Sequence, residues 1–249
     1  MTLTMMLVAA VTGYLVGSVS FGRVVGYFVA RGQNLEETAI HIPDSDGQMD
    51  LTYVSATSIG VQKGSKWGCL AGILDILKGL LPTLVFRLAY PGAPYYFIAG
   101  AAAVVGHNWP IYYRFKGGRG MSTIRGATLV VDWLGSLVSV IAGLLVSKFL
   151  IRQTMLSIVV FLPLYLVWSI LVRRNWWDVG FAVAVNLAFL LASIPEYRVY
   201  QRYKREGRLE EYEAAWRAAP MFRGRARLNR WLKRLIRRDR EGELNQPSQ

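Results

Sequence analysis

The chain has 249 residues, 53% of them hydrophobic, and carries 29 Lys and Arg against 16 Asp and Glu for a formal net charge of +13; its mean hydropathy is positive, +0.28. A soluble globular domain rarely combines these features, and the charges fall between and after apolar blocks of membrane-spanning length, about 17 to 25 residues. The basic excess therefore requires no nucleic-acid partner, since anionic lipid and the positive-inside rule account for it, and the single cysteine, Cys69, excludes an intrachain disulfide.

The first apolar block, Met5 to Val29, exceeds signal-peptide length and has no basic residue before it, so it reads as an uncleaved first span. Inside it Arg23 is framed by Gly17, Ser18, Ser20 and Gly22, small residues that let helices approach closely around a charge. A cytoplasmic linker over 31–67 follows, acidic at first through Glu36, Glu37, Asp44, Asp46 and Asp50, then small and glycine-bearing. Its HIPDSD sets Asp46 five positions after His41, the spacing of acyl-CoA-dependent glycerolipid acyltransferases, but none of that family's other blocks follows.

Further spans are predicted at Gly68–Ala89, Pro94–Tyr113, Gly120–Trp133, Leu134–Leu150, Thr154–Val172 and Trp177–Ile194, which makes seven. The fourth is short for a full bilayer. It is needed for parity, because an even number of spans must separate two basic segments that share a face. Arg114, Lys116, Arg119 and Arg125 lie on one such segment and fifteen Lys and Arg follow Ile194, so both are predicted to be cytoplasmic and the N-terminus outside. Arg173 and Arg174 fall on the opposite side and break the rule. In the second span Asp75 and Lys78 are three residues apart on one helix face, where pairing lowers the cost of burying both.

The segment GHNWPIYYRFKGGRGMST, Gly106 to Thr123, is the most informative. Lys116-Gly117-Gly118-Arg119-Gly120 sets three glycines and two cations where a span re-enters water, just before another helix. Backbone N–H groups free of Cβ can converge on an anion there, and a helix N-terminus adds donors and positive dipole, so this is a phosphate-binding loop at 114–120 or, more plainly, a tight connector. His107 is one of only two histidines, close to the loop, with Pro110 breaking the helix after it. The tail over 196–249 is basic and helical in pattern; Leu228, Trp231, Leu232, Leu235 and Ile236 line one face, as in an interfacial helix. Two distant histidines and one cysteine cannot assemble a zinc site, so no metal and no cofactor are expected.

GSVSFG at Gly17–Gly22, LDILKGLLP at Leu74–Pro82 and the Gly106–Thr123 block, in this order, resemble the bacterial acyl-phosphate-dependent glycerol-3-phosphate acyltransferases. The resemblance implies an all-α, seven-span inner-membrane bundle over residues 1–195. It would transfer a fatty acyl group from acyl phosphate to glycerol 3-phosphate, giving lysophosphatidic acid within membrane lipid synthesis. It also implies that Gly117, Gly118 and Gly120 cradle a phosphate, that Lys116 and Arg119 neutralise it, and that His107 orients a substrate group. Ser122, Thr123, Lys78 and Arg198 would complete the phosphate set. The family usually has Lys where Arg119 stands. Its Ser- and Asn-bearing block is represented by VSATSIGVQKGSK at Val54–Lys66, where Ser55 and Ser58 are alternatives and Ser58 is assigned as catalytic. Its final His- and Asn-bearing block is represented by IPEYRVYQRY. The rival readings are a divergent transferase with another acceptor, a non-catalytic relative that binds a phosphorylated lipid precursor and a small-molecule transporter. A transporter predicts internal pseudo-symmetry, which the sequence does not display.

Overall fold

The structure, a computed structural model, describes residues 2–30, 39–41, 48–50, 55–149 and 157–218. Helices α1 (Leu3–Gly17) and α2 (Phe21–Ala30) form the first predicted span, interrupted at Ser18–Ser20. The linker contains a two-stranded antiparallel ribbon, β1 (Ala39–His41) against β2 (Gln48–Asp50), with Ile40 opposite Met49. Then come α3 (Ala56–Lys63), α4 (Ser65–Ala89), α5 (Tyr95–Asn108), α6 (Met121–Val131) and α7 (Trp133–Phe149). The chain closes with α8 (Ser157–Trp168), a π turn at Ser169–Arg173, α9 (Trp176–Arg205) and α10 (Leu209–Ala218). Among the described residues each of the seven predicted spans is thus helical in its main part, and the fold is all-α apart from the ribbon.

Two differences from the sequence reading have physical causes. The second half of the predicted linker is not a loop: α3 buries Ser58, Ile59, Gly60 and Val61, and Ile59 packs with Val25 and Ala71 of its neighbours. The last span does not stop at Ile194, because Pro195 lies within α9 and the helix runs on as a polar extension to Arg205; hydropathy reports where lipid ends, not where a helix ends. The amphipathic face proposed for residues 228–236 lies outside the described residues, as do Asp46 and the start of the sixth span at 154–156.

Leu3–Val29, Ser65–Ala89 and Trp176–Arg205 are each long and apolar enough to cross a membrane, and the other apolar helices are shorter. Leu7, Leu81, Leu144 and Leu190 are each about half exposed or more on the outside of the bundle (57%, 51%, 48% and 59%). That is the surface lipid solvates, and the chain is an integral membrane protein. In lipid no water is expelled when helices meet, so close packing has to hold them. Accordingly α1 lies against α5 with almost no side chain between: a Cβ added to Gly17 would fall 2.1 Å from the Ala103 carbonyl oxygen. The central core, drawn from α5, α6, α8 and α9, includes Phe97, Ile124, Phe161, Tyr165, Phe181 and Val185.

Helix α6 has only 11 residues, about 16 Å at 1.5 Å per residue, roughly half a hydrocarbon layer. It runs parallel to α4 and begins well inside it. A Cβ on Gly72, seven residues after Ser65, would be 3.8 Å from Ser122 Oγ, so the start of α6 lies about 10 Å along α4 from that helix's own start. At its other end α6 stops at Asp132, whose Oδ1 accepts from the Gly135 N–H (3.0 Å) and so caps the start of α7. Asp132 Oδ2 also accepts from Trp168 Nε1 (2.7 Å). Arg173 Nε lies 3.6 Å from Asp132 and 3.3 Å from Asp178. Of the two arginines that break the positive-inside rule, Arg173 is therefore shared by two carboxylates, which compensate its charge.

Candidate active site

Pro110 cannot donate to a helix and keeps Trp109 out of the helical region (φ −130°, ψ 70°), so α5 ends at Asn108. A 3-10 turn at Ile111–Tyr113 follows, and then Arg114 and Phe115 both take left-handed backbone, φ 52° and 61°. Two such residues in succession are uncommon away from glycine and reverse the chain. The loop therefore folds back onto the end of the helix it has just left. The Gly118 N–H donates to the His107 carbonyl (3.2 Å), and Gly120, left-handed at φ 77°, starts α6. No side chain caps α6 there, so its first N–H groups are available to an anion.

All three glycines in this loop are required by space, Gly117 because an added Cβ would fall on the His107 and Asn108 carbonyl oxygens. A Cβ on Gly118 would lie 2.5 Å from His107 Nε2 and 3.3 Å from Ser55 Cβ. One on Gly120 would lie 2.4 Å from Asn108 Oδ1. The loop backbone is thus laid directly on the imidazole of His107 and the amide of Asn108. Asn108 is held by its own Nδ2, which donates to the Ala188 carbonyl of α9 (2.9 Å).

Behind His107 lies a buried row of charge. Asp75 Oδ1 is 3.7 Å from His107 Nδ1 and 2.9 Å from Lys78 Nζ. Lys78 Nζ in turn donates to the Val19 carbonyl (2.6 Å), a group sited in the break between α1 and α2. Asp75, Lys78 and His107 are 1%, 2% and 8% exposed. The i, i+3 pair expected from sequence is present; its contact with His107, 32 positions away, could not be read from spacing.

The remaining predicted residues divide into those at the loop and those set apart from it. Arg119 pairs with Glu196 of α9 (2.6 Å), which ties the loop to the last helix. Lys116 and Arg198 are exposed, Ser122 is half-buried, and Thr123 is fully buried with no hydrogen bond to its Oγ1 among the described residues. Ser58 is fully buried in a capping box at the start of α3: its hydroxyl donates to the Ser55 carbonyl (2.9 Å) and accepts from the Ser55 N–H (2.7 Å). Of the two alternative serines it is Ser55 that reaches Gly118. Arg23 stacks over the Tyr113 ring, 4.5 Å from its centroid, on the approach to the loop. Sequence reasoning passed over Asn108 and Glu196; the only hint for the first was its place beside His107, and for the second there was none.

An uncapped helix start, a glycine backbone, exposed Lys116 and a buried imidazole converge at one end of the bundle. The arrangement can hold a phosphate and present a ring nitrogen beside it. Residues 7–205 match the family described as glycerol-3-phosphate acyltransferase. The glycerol-3-phosphate acyltransferase of Pelagibacter ubique is 29% identical over 187 residues, covering 74% of this chain and 87% of its own. That of Halalkalibacterium halodurans is 30% identical over 190 residues, covering 74% and 84%. The crystal structure of an integral membrane glycerol 3-phosphate acyltransferase in its glycerol 3-phosphate form matches with a TM-score of 0.65 at 24% identity, covering 82% of this chain and 93% of that one. The bundle is the shared part, and α10 lies beyond the matched residues.

Proposed function

Because the chain belongs to the glycerol-3-phosphate acyltransferase family, we propose that it moves a fatty acyl group from acyl phosphate to the 1-hydroxyl of glycerol 3-phosphate. The hydroxyl oxygen attacks the acyl carbonyl carbon, the carbon–oxygen bond to phosphate breaks, and lysophosphatidic acid and inorganic phosphate leave, with the hydroxyl proton passing to the departing phosphate. Acyl phosphate is a mixed anhydride with a good leaving group, so the site has chiefly to bind two phosphates, align the hydroxyl and stabilise an oxyanion. The residues present suit that chemistry. Gly117, Gly118, Gly120 and the first turn of α6, with Ser122 and Thr123, line the phosphate position, Lys116 and Arg119 supply charge, and His107 faces the hydroxyl. Lys78 and Ser58 act from behind, and Arg198 lies farther along α9.

The observation that carries this reading is the contact of the Gly118 backbone with His107 Nε2, which brings phosphate donors and an imidazole within one substrate's length. Incubating the purified protein in detergent with glycerol 3-phosphate and either acyl phosphate or acyl-CoA, followed by lipid analysis, tests it. Lysophosphatidic acid from acyl phosphate alone is the expected product. Consumption of acyl-CoA, with activity lost in His41→Ala, would overturn the donor. Binding of glycerol 3-phosphate without turnover from either donor would mark a non-catalytic relative.

The same reading sets the chain in the cell (inner) membrane with the loop and the tail cytoplasmic and the N-terminus outside. The Arg119–Glu196 pair supports it, since four helices separate the loop from the end of α9 and the two meet at one end. Single cysteines at Lys116 and Lys204, in a chain whose exposed Cys69 is replaced by Ser, should react with an impermeant reagent from the same side only. Labelling from opposite sides would remove the seven-span topology.

A further inference from the structure

We infer that Asp75 and Lys78 are positioning residues for His107, fixing the imidazole so that Nδ1 carries the proton and Nε2 is presented bare to the loop. The inference rests on the acyltransferase reading and deepens it. Three observations on the imidazole carry it. Its Nε2 edge is against Gly118, where the phosphate loop passes. Its Nδ1 edge faces Asp75 Oδ1 at 3.7 Å and has no hydrogen bond among the described residues. The ring is buried, only 8% exposed, away from bulk solvent. A buried N–H that faces one carboxylate has one place to donate, and which nitrogen of a histidine is bare follows from the bond the other makes. The separation is longer than a hydrogen bond, as is common in enzymes before substrate tightens the site.

Lys78 has a separate part in this row. Asp75 in an apolar bundle needs a compensating charge, and Lys78 supplies it at 2.9 Å. Lys78 is itself anchored by the Val19 carbonyl at 2.6 Å, in the only residues between α1 and α2. The break in the first span therefore has a use: a carbonyl beside the helix break serves as the fixed end of a row that runs Val19, Lys78, Asp75, His107, Gly118. None of the first three touches the reacting atoms. A change at any of them reaches the chemistry only through the orientation of the ring.

A buried ion pair can also be merely structural, and the experiment separates the two. His41 is the only other histidine, so His41→Gln protein labelled with 15N-histidine in detergent gives a single imidazole whose tautomer can be read without substrate or turnover. The expected signal is protonated Nδ1 and bare Nε2; a ring protonated at Nε2 in the otherwise unmutated protein overturns the inference. In Asp75→Asn, and in the isosteric double variant Asp75→Leu with Lys78→Met, kcat should fall on the order of tenfold to a hundredfold, as displacement of a reacting group by about 1 Å does, while KM for glycerol 3-phosphate stays within about threefold. The double variant removes both charges together, so helix packing survives where single removal would strand one ion. Full kcat in the folded double variant overturns the inference. If the variants fail to fold, the tautomer alone decides. An unmutated protein with no transfer from any donor would defeat the acyltransferase reading, a result distinct from the tautomer.

Discussion

At the end of the bundle away from the glycine loop, Arg173 bridges Asp132 and Asp178, Asp132 caps α7 and holds Trp168, and the Thr128 and Ser136 hydroxyls meet at 3.1 Å. At the loop end the residue types are similar but their pairing differs. His107 Nδ1, Asn108 Oδ1 and Thr123 Oγ1 are buried without a hydrogen bond among the described residues, and α6 starts without a side-chain cap. The far end is not wholly closed, since Tyr165 Oη and Asp178 Oδ2 also have no hydrogen bond among the described residues. Yet its ion pairs and caps join α6, α7, the turn after α8 and α9 to one another, whereas at the loop end His107 Nε2 and Asn108 Oδ1 lie against the backbone of Gly118 and Gly120. Buried polar groups that bind helices together report stability. Those aimed at a glycine backbone report a ligand.

The sharpest break in this comparison comes from Gly118→Ala. The added Cβ would meet His107 Nε2 at 2.5 Å, so the loop must leave the ring. Phosphate-ligand binding and acyl transfer should both vanish while circular dichroism keeps the helical signal; unchanged affinity would reduce the loop to a connector. Next in size is Lys116→Ala, which under the proposed function removes one charge-assisted phosphate contact of about 1.5 to 3 kcal/mol and should cost tenfold or more in kcat/KM without loss of thermal stability.

At the far end the pattern should invert. Arg173→Met leaves two carboxylates facing each other without a cation, and because Arg173 is 42% exposed the cost is discounted to about 1 to 2 kcal/mol of stability. The melting temperature should fall and kcat of the folded protein should not. A loss of kcat at full stability would mean that the far end takes part in the reaction. The smallest effect belongs to Gly180→Ala in α9, where nothing lies within 4 Å of the new Cβ. A helical Gly replaced by Ala without a clash should be neutral or gain up to about 1 kcal/mol, read as melting temperature.

Much of this was legible in the sequence because lipid imposes a simple rule. Apolar blocks became helices, and the glycine loop began a helix as its residue types demanded. The Asp75–Lys78 pair lay within one helix turn and could be read directly. What escaped was contact between distant segments. Asp75 with His107, Arg119 with Glu196 and Arg173 with Asp132 each join residues more than 30 positions apart, and no periodicity encodes such meetings. That Ser58 is buried in a capping box while Ser55 lies against Gly118 was equally out of reach, since only the folded helix reveals which side chain turns inward.

The shortness of α6 carries a consequence for the fate of the acyl donor. Its start lies about 10 Å farther along the bundle than that of α4, so Gly118 and Gly120, where the loop meets α6, are buried while Lys116 stays exposed. A mixed anhydride held there meets few water molecules before it meets the acceptor's hydroxyl. Under the proposed reaction, hydrolysis and transfer compete for the same carbonyl, and water is by far the more abundant nucleophile in the cytoplasm. Burying that junction shifts the competition by starving the side reaction. The truncated helix thus protects yield per donor consumed, a quantity that a rate measurement alone does not reveal.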